Sequence, residues 1–319
     1  MSIGRGMWII GAVLAVAVTA GCGDGASSTS GATSSTSSAA AIPPVLGAST
    51  MAGAGSTVES LTVDGKTANY VLHVPAGVSG ALPAVIVLHG GNGSGTQIET
   101  VSGMSAVADS SGFVAAYPDA TTPSAIKALI AELVSQHGVD PARIYLSGIS
   151  HGGIDTQVAA CALSGQLAGI AVLSAGLPTQ LESQCPIAKP LPVILIHGTA
   201  DPVVPYAGGT VNSPNATERG NATVLLSAVD TLKFWRGKDG CTGDTTTAPA
   251  PGTDDTVTLT TGPACTDGVQ AQLYSVQGGG HTWPGGSTTQ QQYSSTLGPL
   301  NTTFDASKTI WDFFATQAH

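Results

Sequence analysis

Four strand-like runs in this chain end at glycine: residues 83–91 (PAVIVLHGG), 143–148 (RIYLSG), 192–198 (PVILIHG) and 271–280 (AQLYSVQGGG). The first is apolar without alternation, the pattern of a strand buried on both faces. Residues 112–119 (GFVAAYPD) and 169–176 (GIAVLSAG) read the same way. Between them, 124–138 (SAIKALIAELVSQHG) carries apolar residues at 126, 129, 130, 133 and 134, a helical stripe with Ser124 as cap and Gly138 as stop. Further helices are expected from Gly152 to about Leu163, over 221–236, and over the closing DASKTIWDFFATQ. Strands alternating with helices predict an α/β fold, a mostly parallel central sheet with helices on both faces. Alternation on either side of Asp64-Gly65 in 61–75 (LTVDGKTANYVLHVP) adds an antiparallel N-terminal hairpin at the sheet edge.

In such sheets chemistry collects at the carboxyl ends of the strands. The first run leads into Gly90, Gly91, Asn92 and Gly93, the second into Ser150 and His151, the third into Asp201, and the last into His281. Ser150 lies between Gly148 and Gly152, the spacing of a sharp strand-to-helix turn that lifts a hydroxyl clear of the sheet. With 42 glycines in the chain that spacing alone is weak. A serine, an acid and a histidine at strand ends, in that chain order, are far more specific. A serine hydroxyl needs a base within hydrogen-bond reach to act as a nucleophile, and the imidazole of His281 suits that task. Asp201 would fix the imidazole tautomer. The backbone N–H of His151 and one from the Gly91–Asn92 stretch would form an oxyanion hole.

Other residues have quieter roles. His73, His137 and His319 read as structural or exposed, His137 in the last turn of a helix where a cation suits the dipole. His89 and His197 each close a strand before glycine and read as hydrogen-bonding supports. His89, Tyr206 and Trp283 are also expected to face the substrate. No C-x-x-C or H-x-x-x-H spacing suggests a metal, and no cofactor is expected.

The N-terminal segment 1–22 has one cation, Arg5, before an apolar run to about Ala20 and then Gly21-Cys22, which reads as a signal peptide. Its end resembles the bacterial lipoprotein processing box, with Thr19 where leucine is usual, so either lipidation of Cys22 or plain secretion is expected. Residues 23–57, rich in Ser, Thr, Gly and Ala, have too little apolar bulk to offset their ordering entropy and read as a tether. The folded domain is expected over 58–319. Apart from Cys22, the cysteines are Cys161, Cys185, Cys241 and Cys265. In an oxidising compartment they should form two disulfides, and pairing sequence neighbours, 161–185 and 241–265, closes the shortest loops. A formal charge of −10 without any Lys/Arg cluster argues against nucleic acid or anionic lipid as partner. A membrane would be met only through a lipid on Cys22, and the protein is expected to be an extracellular or cell-envelope monomer.

The stretches GISHGG, HGTADPVVPYAGG and GGGHTWPGG resemble the extracellular polyhydroxybutyrate depolymerase and feruloyl esterase group of α/β-hydrolases, from about Leu61 to the C-terminus. The resemblance implies an α/β-hydrolase fold, a triad of Ser150, Asp201 and His281, and a small or polymeric carboxylic ester as substrate. Two features depart from the group's pattern. Asp119 is followed at once by ATTP and a helix, where a loop with tryptophan and cysteines is usual, so a more open cleft is expected. HGGNGSG also replaces the usual Cys- or Gly-rich sequence after His-Gly. Two other classes, a non-catalytic binding protein on the same fold and a serine peptidase, fit less well. A binding module has no need of all three polar residues, and about 260 residues leave no room for the gating domain such peptidases carry.

Overall fold

Residues 84–88 alternate between two cores. Ala84, Ile86 and Leu88 face one, Val85 and Val87 the other, and all five are fully buried. With helices on both faces no position of this strand meets water, which is why the run is apolar throughout. The computed structural model describes residues 55–212 and 223–317. The expected signal segment, Cys22, and the tether as far as residue 54 lie outside the described residues. So do His319 and positions 221–222 of the expected helix.

The main sheet holds ten strands: β1 (Gly55–Val63), β2 (Lys66–Val74), β3 (Leu82–Leu88), β4 (Val114–Pro118), β5 (Val139–Ile149), β6 (Gly169–Leu173), β7 (Val193–Gly198), β10 (Thr246–Pro249), β11 (Val257–Thr261) and β12 (Ala271–Val276). A separate two-stranded ribbon pairs β8 (Gly209–Thr210) with β9 (Val224–Leu225). Across the main sheet the order is β1-β2-β4-β3-β5-β6-β7-β12-β11-β10. The run from β4 to β12 is parallel, as expected, and an antiparallel pair of strands extends it at each end. The β1–β2 hairpin turns on Asp64 (φ 49°) and Gly65 (φ 76°). Two successive left-handed residues match the twist of the flanking strands, which is why Asp-Gly serves there.

The described residues form eight helices: α1 (Gly95–Ser102), α2 (Met104–Ser111), α3 (Pro123–His137), α4 (His151–Leu163), α5 (Leu181–Gln184), α6 (Ala228–Lys238), α7 (Ser294–Leu297) and α8 (Ala306–Thr316). On one face α3, α4 and α6 bury Ile126, Leu129, Ala160, Leu232 and Trp235 against Ile86, Leu146 and Leu195. On the other, α1, α2 and α8 bury Ile98, Met104, Ile310 and Phe314 against Val85, Val87 and Ile196. Phe314 stacks on Tyr145 of β5 with ring centroids 4.4 Å apart.

Several boundaries differ from the sequence reading. β1 begins at Gly55, inside the tract read as tether, because Ser56 and Thr57 pair with His73 and Leu72. Thr122, not Ser124, caps α3: its hydroxyl accepts from Ala125 N at 3.3 Å. Pro123 then fills the first helical position, where its missing N–H is harmless. α6 starts only at Ala228, capped by Ser227, because Val224 and Leu225 belong to the ribbon. The helices α1 and α2 and the strands β10 and β11 had no counterpart in the sequence reading. The last two are short and Thr-rich, and β10 is exposed along its length.

Cys161 is bonded to Cys185 and Cys241 to Cys265, as the shortest-loop argument expects. Each closes a loop of sequence separation 24. The first ties α4 to the segment after α5, the second ties the end of α6 to the approach to β12. Replacing either pair by serine should cost about 3 kcal/mol through the freed unfolded chain. Denaturant titration of the two double variants checks this, and a loss near zero for both would contradict it.

Asp239, after the last turn of α6, is 1% exposed. Burial pushes its carboxyl up to about 7, against the opposing effect of the hydrogen bond from Leu191 N. Its second oxygen has no hydrogen-bond partner. The folded protein thus holds this proton more tightly than the unfolded chain, whose value is near 3.8. The contribution is intact below the unfolded value and is lost as pH rises through the folded one. Asp239→Asn should therefore gain on wild type by on the order of a few degrees in Tm between about pH 4 and about pH 8. A Tm difference independent of pH would contradict this.

Candidate active site

At the end of β5 the chain reverses into α4 through Ser150, which sits at φ 60°, ψ −122°. A non-glycine residue in that region is strained and persists only where its surroundings enforce it. Here they do. A Cβ on Gly148 would stand 2.3 Å from Gly152 O, and one on Gly152 would stand 2.5 Å from both Leu88 O and His89 O. A Cβ on Gly153 would meet that of Ala175 at 2.8 Å. The elbow is thus packed backbone to backbone against β3, and Ser150 N donates to Leu173 O of β6 at 3.0 Å. His151 is the first residue of α4, so its N–H has no carbonyl within the helix to bond.

Asp201 follows β7 in a tight loop. Its Oδ1 accepts from Val203 N and Val204 N, both at 2.8 Å, and its Oδ2 accepts from His281 Nδ1 at 2.8 Å. The carboxylate has no solvent exposure. Burial alone would raise its affinity for a proton, yet the hydrogen bonds from His197 and His281 outweigh burial and hold the carboxyl well below the ordinary range. Asp201 is therefore an anion that can only accept, so His281 Nδ1 carries the hydrogen and leaves Nε2 as an acceptor.

His281 is held from behind. Its N–H donates to Leu297 O, and two residues on, Trp283 N donates to Gln290 Oε1 at 2.7 Å. Trp283 Nε1 donates to Ser307 Oγ at 2.9 Å, and Ser307 in turn donates to Ser102 O at 2.8 Å. Trp283 is fully buried in the second core, which corrects its expected place on the cleft wall. An indole finds more apolar contact there and still pairs its N–H. Tyr206 is likewise absent from the cleft: its hydroxyl bonds Ser275 Oγ at 2.6 Å and its ring lies edge-on to His197.

Ser150, His151, His281, His89, Gly91 and Asn92 all line one cavity of about 880 Å³. A Cβ on Gly91 would meet nothing within 4 Å, so its backbone opens onto free space. Asn92 adopts φ 58° in the turn closed by Gly93 N donating to Gly90 O at 3.1 Å. The ring nitrogens of His89 lie 2.7 Å from Gly90 O and 3.2 Å from Asp119 O, so this side chain braces the loop as well as lining the cavity. Asp119 Oδ1 accepts from Gly95 N at the start of α1, and residues 119–122 lead directly into α3. The far wall comes from a segment the sequence reading passed over, with Thr289, Gln292, Tyr293 and Thr296. Its Gln/Ser/Thr-rich sequence has no hydrophobic period to single it out. Among the described residues no Asp, Glu, Lys or Arg lines the cavity.

A family model described as phospholipase/carboxylesterase matches residues 119–229, a stretch that contains both Ser150 and Asp201. NocK of Nocardia uniformis subsp. tsuyamanensis, an esterase by name, is 29% identical over 264 residues, covering 74% of this chain and 76% of that protein. Feruloyl esterase B of Piromyces equi is 28% identical over 233 residues, covering 66% of this chain and 42% of that protein. Poly(3-hydroxyalkanoate) depolymerase C of Paucimonas lemoignei is 27% identical over 126 residues, covering 33% and 30%. The chain thus spans under half the length of the last two. Among solved structures, an acetyl xylan esterase from Aspergillus awamori superposes with a TM-score of 0.52 at 16% identity, over 75% of this chain and 98% of that one, a likeness of fold. The fold is that of the α/β-hydrolases, and the proteins similar to this chain in sequence are named esterases, which supports a carboxylic-ester hydrolase.

Proposed function

We propose that the protein is an exported serine esterase in which Ser150 is the nucleophile, His281 the general base and acid, and Asp201 the residue that orients His281. One observation carries this reading: a buried Asp201–His281 pair at 2.8 Å opens onto the same cavity as a serine held on a strained elbow. In the proposed cycle Ser150 Oγ attacks the ester carbonyl carbon while His281 Nε2 takes the hydroxyl proton. The oxyanion is stabilised by His151 N–H and an N–H of the Gly91–Asn92 turn. Collapse breaks the ester C–O bond, and the leaving alcohol takes the proton from His281. Water then attacks the acyl-enzyme by the same steps in reverse. The two disulfides support export, since such bonds persist in oxidising compartments.

The substrate is read as an uncharged ester. The described lining holds no Lys or Arg to offset the desolvation of an anionic substrate. Its Thr, Gln and Asn side chains offer hydrogen bonds to hydroxyls or carbonyls, which suits esters of polyhydroxylated alcohols as well as hydroxyacid oligomers. Kinetics with p-nitrophenyl butyrate and its hemisuccinate counterpart should show kcat/KM lower by about tenfold or more for the anionic ester, the cost of one poorly compensated charge. Equal values would refute the reading of the cavity. Ethyl ferulate, acetylated xylan and hydroxybutyrate oligomers then rank the natural classes.

Ser150→Ala should leave the fold intact and lower kcat on the order of a millionfold. Asp201→Asn should lower it about ten-thousandfold, because the imidazole then favours the wrong tautomer. Because Asp201 stays ionised at all working pH, its carboxyl should add no step to the profile of kcat/KM between about pH 4 and about pH 9. Esterase activity of Ser150→Ala within tenfold of wild type would sink the assignment. Labelling by a fluorophosphonate without ester turnover would point instead to a peptidase, and neither labelling nor turnover to a binding protein.

A further inference from the structure

Two imidazoles reach the same carboxylate oxygen. His281 Nδ1 stands 2.8 Å from Asp201 Oδ2, and His197 Nε2 stands 3.4 Å from it. His197 is 2% exposed and lies in β7, four residues before Asp201. The same Nε2 is 2.9 Å from Val204 O. A carbonyl oxygen only accepts, so Nε2 carries the hydrogen and donates it to Val204 O, with Asp201 Oδ2 3.4 Å from the same nitrogen. The titratable groups about the ring are Asp201, His281 and Tyr206. Tyr206 stands edge-on with ring centroids 5.5 Å apart, its hydroxyl tied to Ser275 Oγ on β12. Among the described residues no lysine or arginine is paired with Asp201, so this buried anion is held by N–H groups of Val203, Val204 and His281, with His197 Nε2 3.4 Å away.

We propose that His197 is a positioning residue for the triad acid: its Nε2–H fixes the Asp201 carboxylate and the Val204 carbonyl together and limits how strongly Asp201 draws a proton onto His281. The inference rests on the triad reading above. Without this N–H, Oδ2 keeps more negative charge for His281, and the imidazolium is favoured already in the free enzyme. The base is then blocked over more of the acid range, so the acid limb of kcat/KM moves to higher pH. The loop that carries Asp201 also loses its tie to β7, which lowers kcat while leaving the cavity, and hence KM, nearly as it was.

The test compares His197→Gln, whose terminal amide N–H reaches about as far as Nε2, with His197→Leu and His197→Asn, which leave Asp201 without that donor. Each is assayed for kcat, KM and pH profile on p-nitrophenyl butyrate beside Asp201→Asn, with thermal melts. We expect kcat of His197→Leu to fall about tenfold or more, the size of one lost hydrogen bond to a charged group, with KM within about twofold. We expect its acid limb to move up by about half a pH unit, and His197→Gln to recover most of both. If His197→Leu does not fold, the Gln and Asn variants carry the comparison, and equal rates and limbs in those two would overturn the proposal. So would a folded His197→Leu with wild-type rate and limb, or an equal loss in every variant with the limb unmoved, which marks a role in the scaffold alone. In those cases an inactive Asp201→Asn leaves the triad reading standing. An active Asp201→Asn removes the triad reading and this proposal with it.

Discussion

Three glycines let the first turn of α4 lie against the ends of β3 and β5 with no side chain between them. The gap is set by backbone atoms: a Cβ on Gly148 or Gly152 would overlap a carbonyl oxygen 2.3 to 2.5 Å away. That approach has two consequences. It forces Ser150 into a positive φ that a free chain would avoid, and it aims the helix N-terminus at the space above the sheet. Ser150 and His151 both line the cavity above that close contact. The elbow is held as well by Ser150 N bonded to Leu173 O, so the strained residue is tied to β6 as well as to β5.

The second constraint is electrostatic. This chain is 9% charged, and among the described residues no Asp, Glu, Lys or Arg lines its cleft. Within that setting one carboxylate, Asp201, is buried as an anion. It survives there because main-chain and imidazole N–H groups converge on its two oxygens from a loop that turns straight back after β7. Burial works the other way at Asp239, where a single backbone N–H faces the carboxyl and its proton is retained toward neutral pH. The same residue type thus takes opposite states in one protein, according to how many donors meet it.

Sheet order joins these two regions. β5 carries Ser150, β7 leads to Asp201 and β12 leads to His281, and in the sheet they stand in that sequence with β6 between the first two. Parallel pairing puts all three carboxyl ends on one edge, so residues 51 and 80 positions apart in the chain, from Ser150 to Asp201 and from Asp201 to His281, meet around one cavity. The segment after His281 is pinned through Trp283, Gln290 and Ser307 to α8 and to the end of α1. Trp283 serves the site from the core, by fixing the loop, and not from the cleft.

Local chemistry was legible along the chain. Unbroken apolar runs marked the strands buried on both faces, Asp64-Gly65 marked the hairpin, the glycine spacing marked the elbow, and short separations between cysteines marked both disulfides. Those features depend on neighbours within a few residues, or on loops short enough to close. What the chain alone did not reveal depends on distant partners. Val224 and Leu225 left the helix for a partner strand, and β10 and β11 formed only by adding to β12. Trp283 and Tyr206 found cores and partners that no local pattern announces, while Tyr293 was left at the cleft because packing placed it there. A sequence sets which groups are available and how the backbone turns near them; which side of a core each large side chain joins is decided by close packing among elements far apart in the chain.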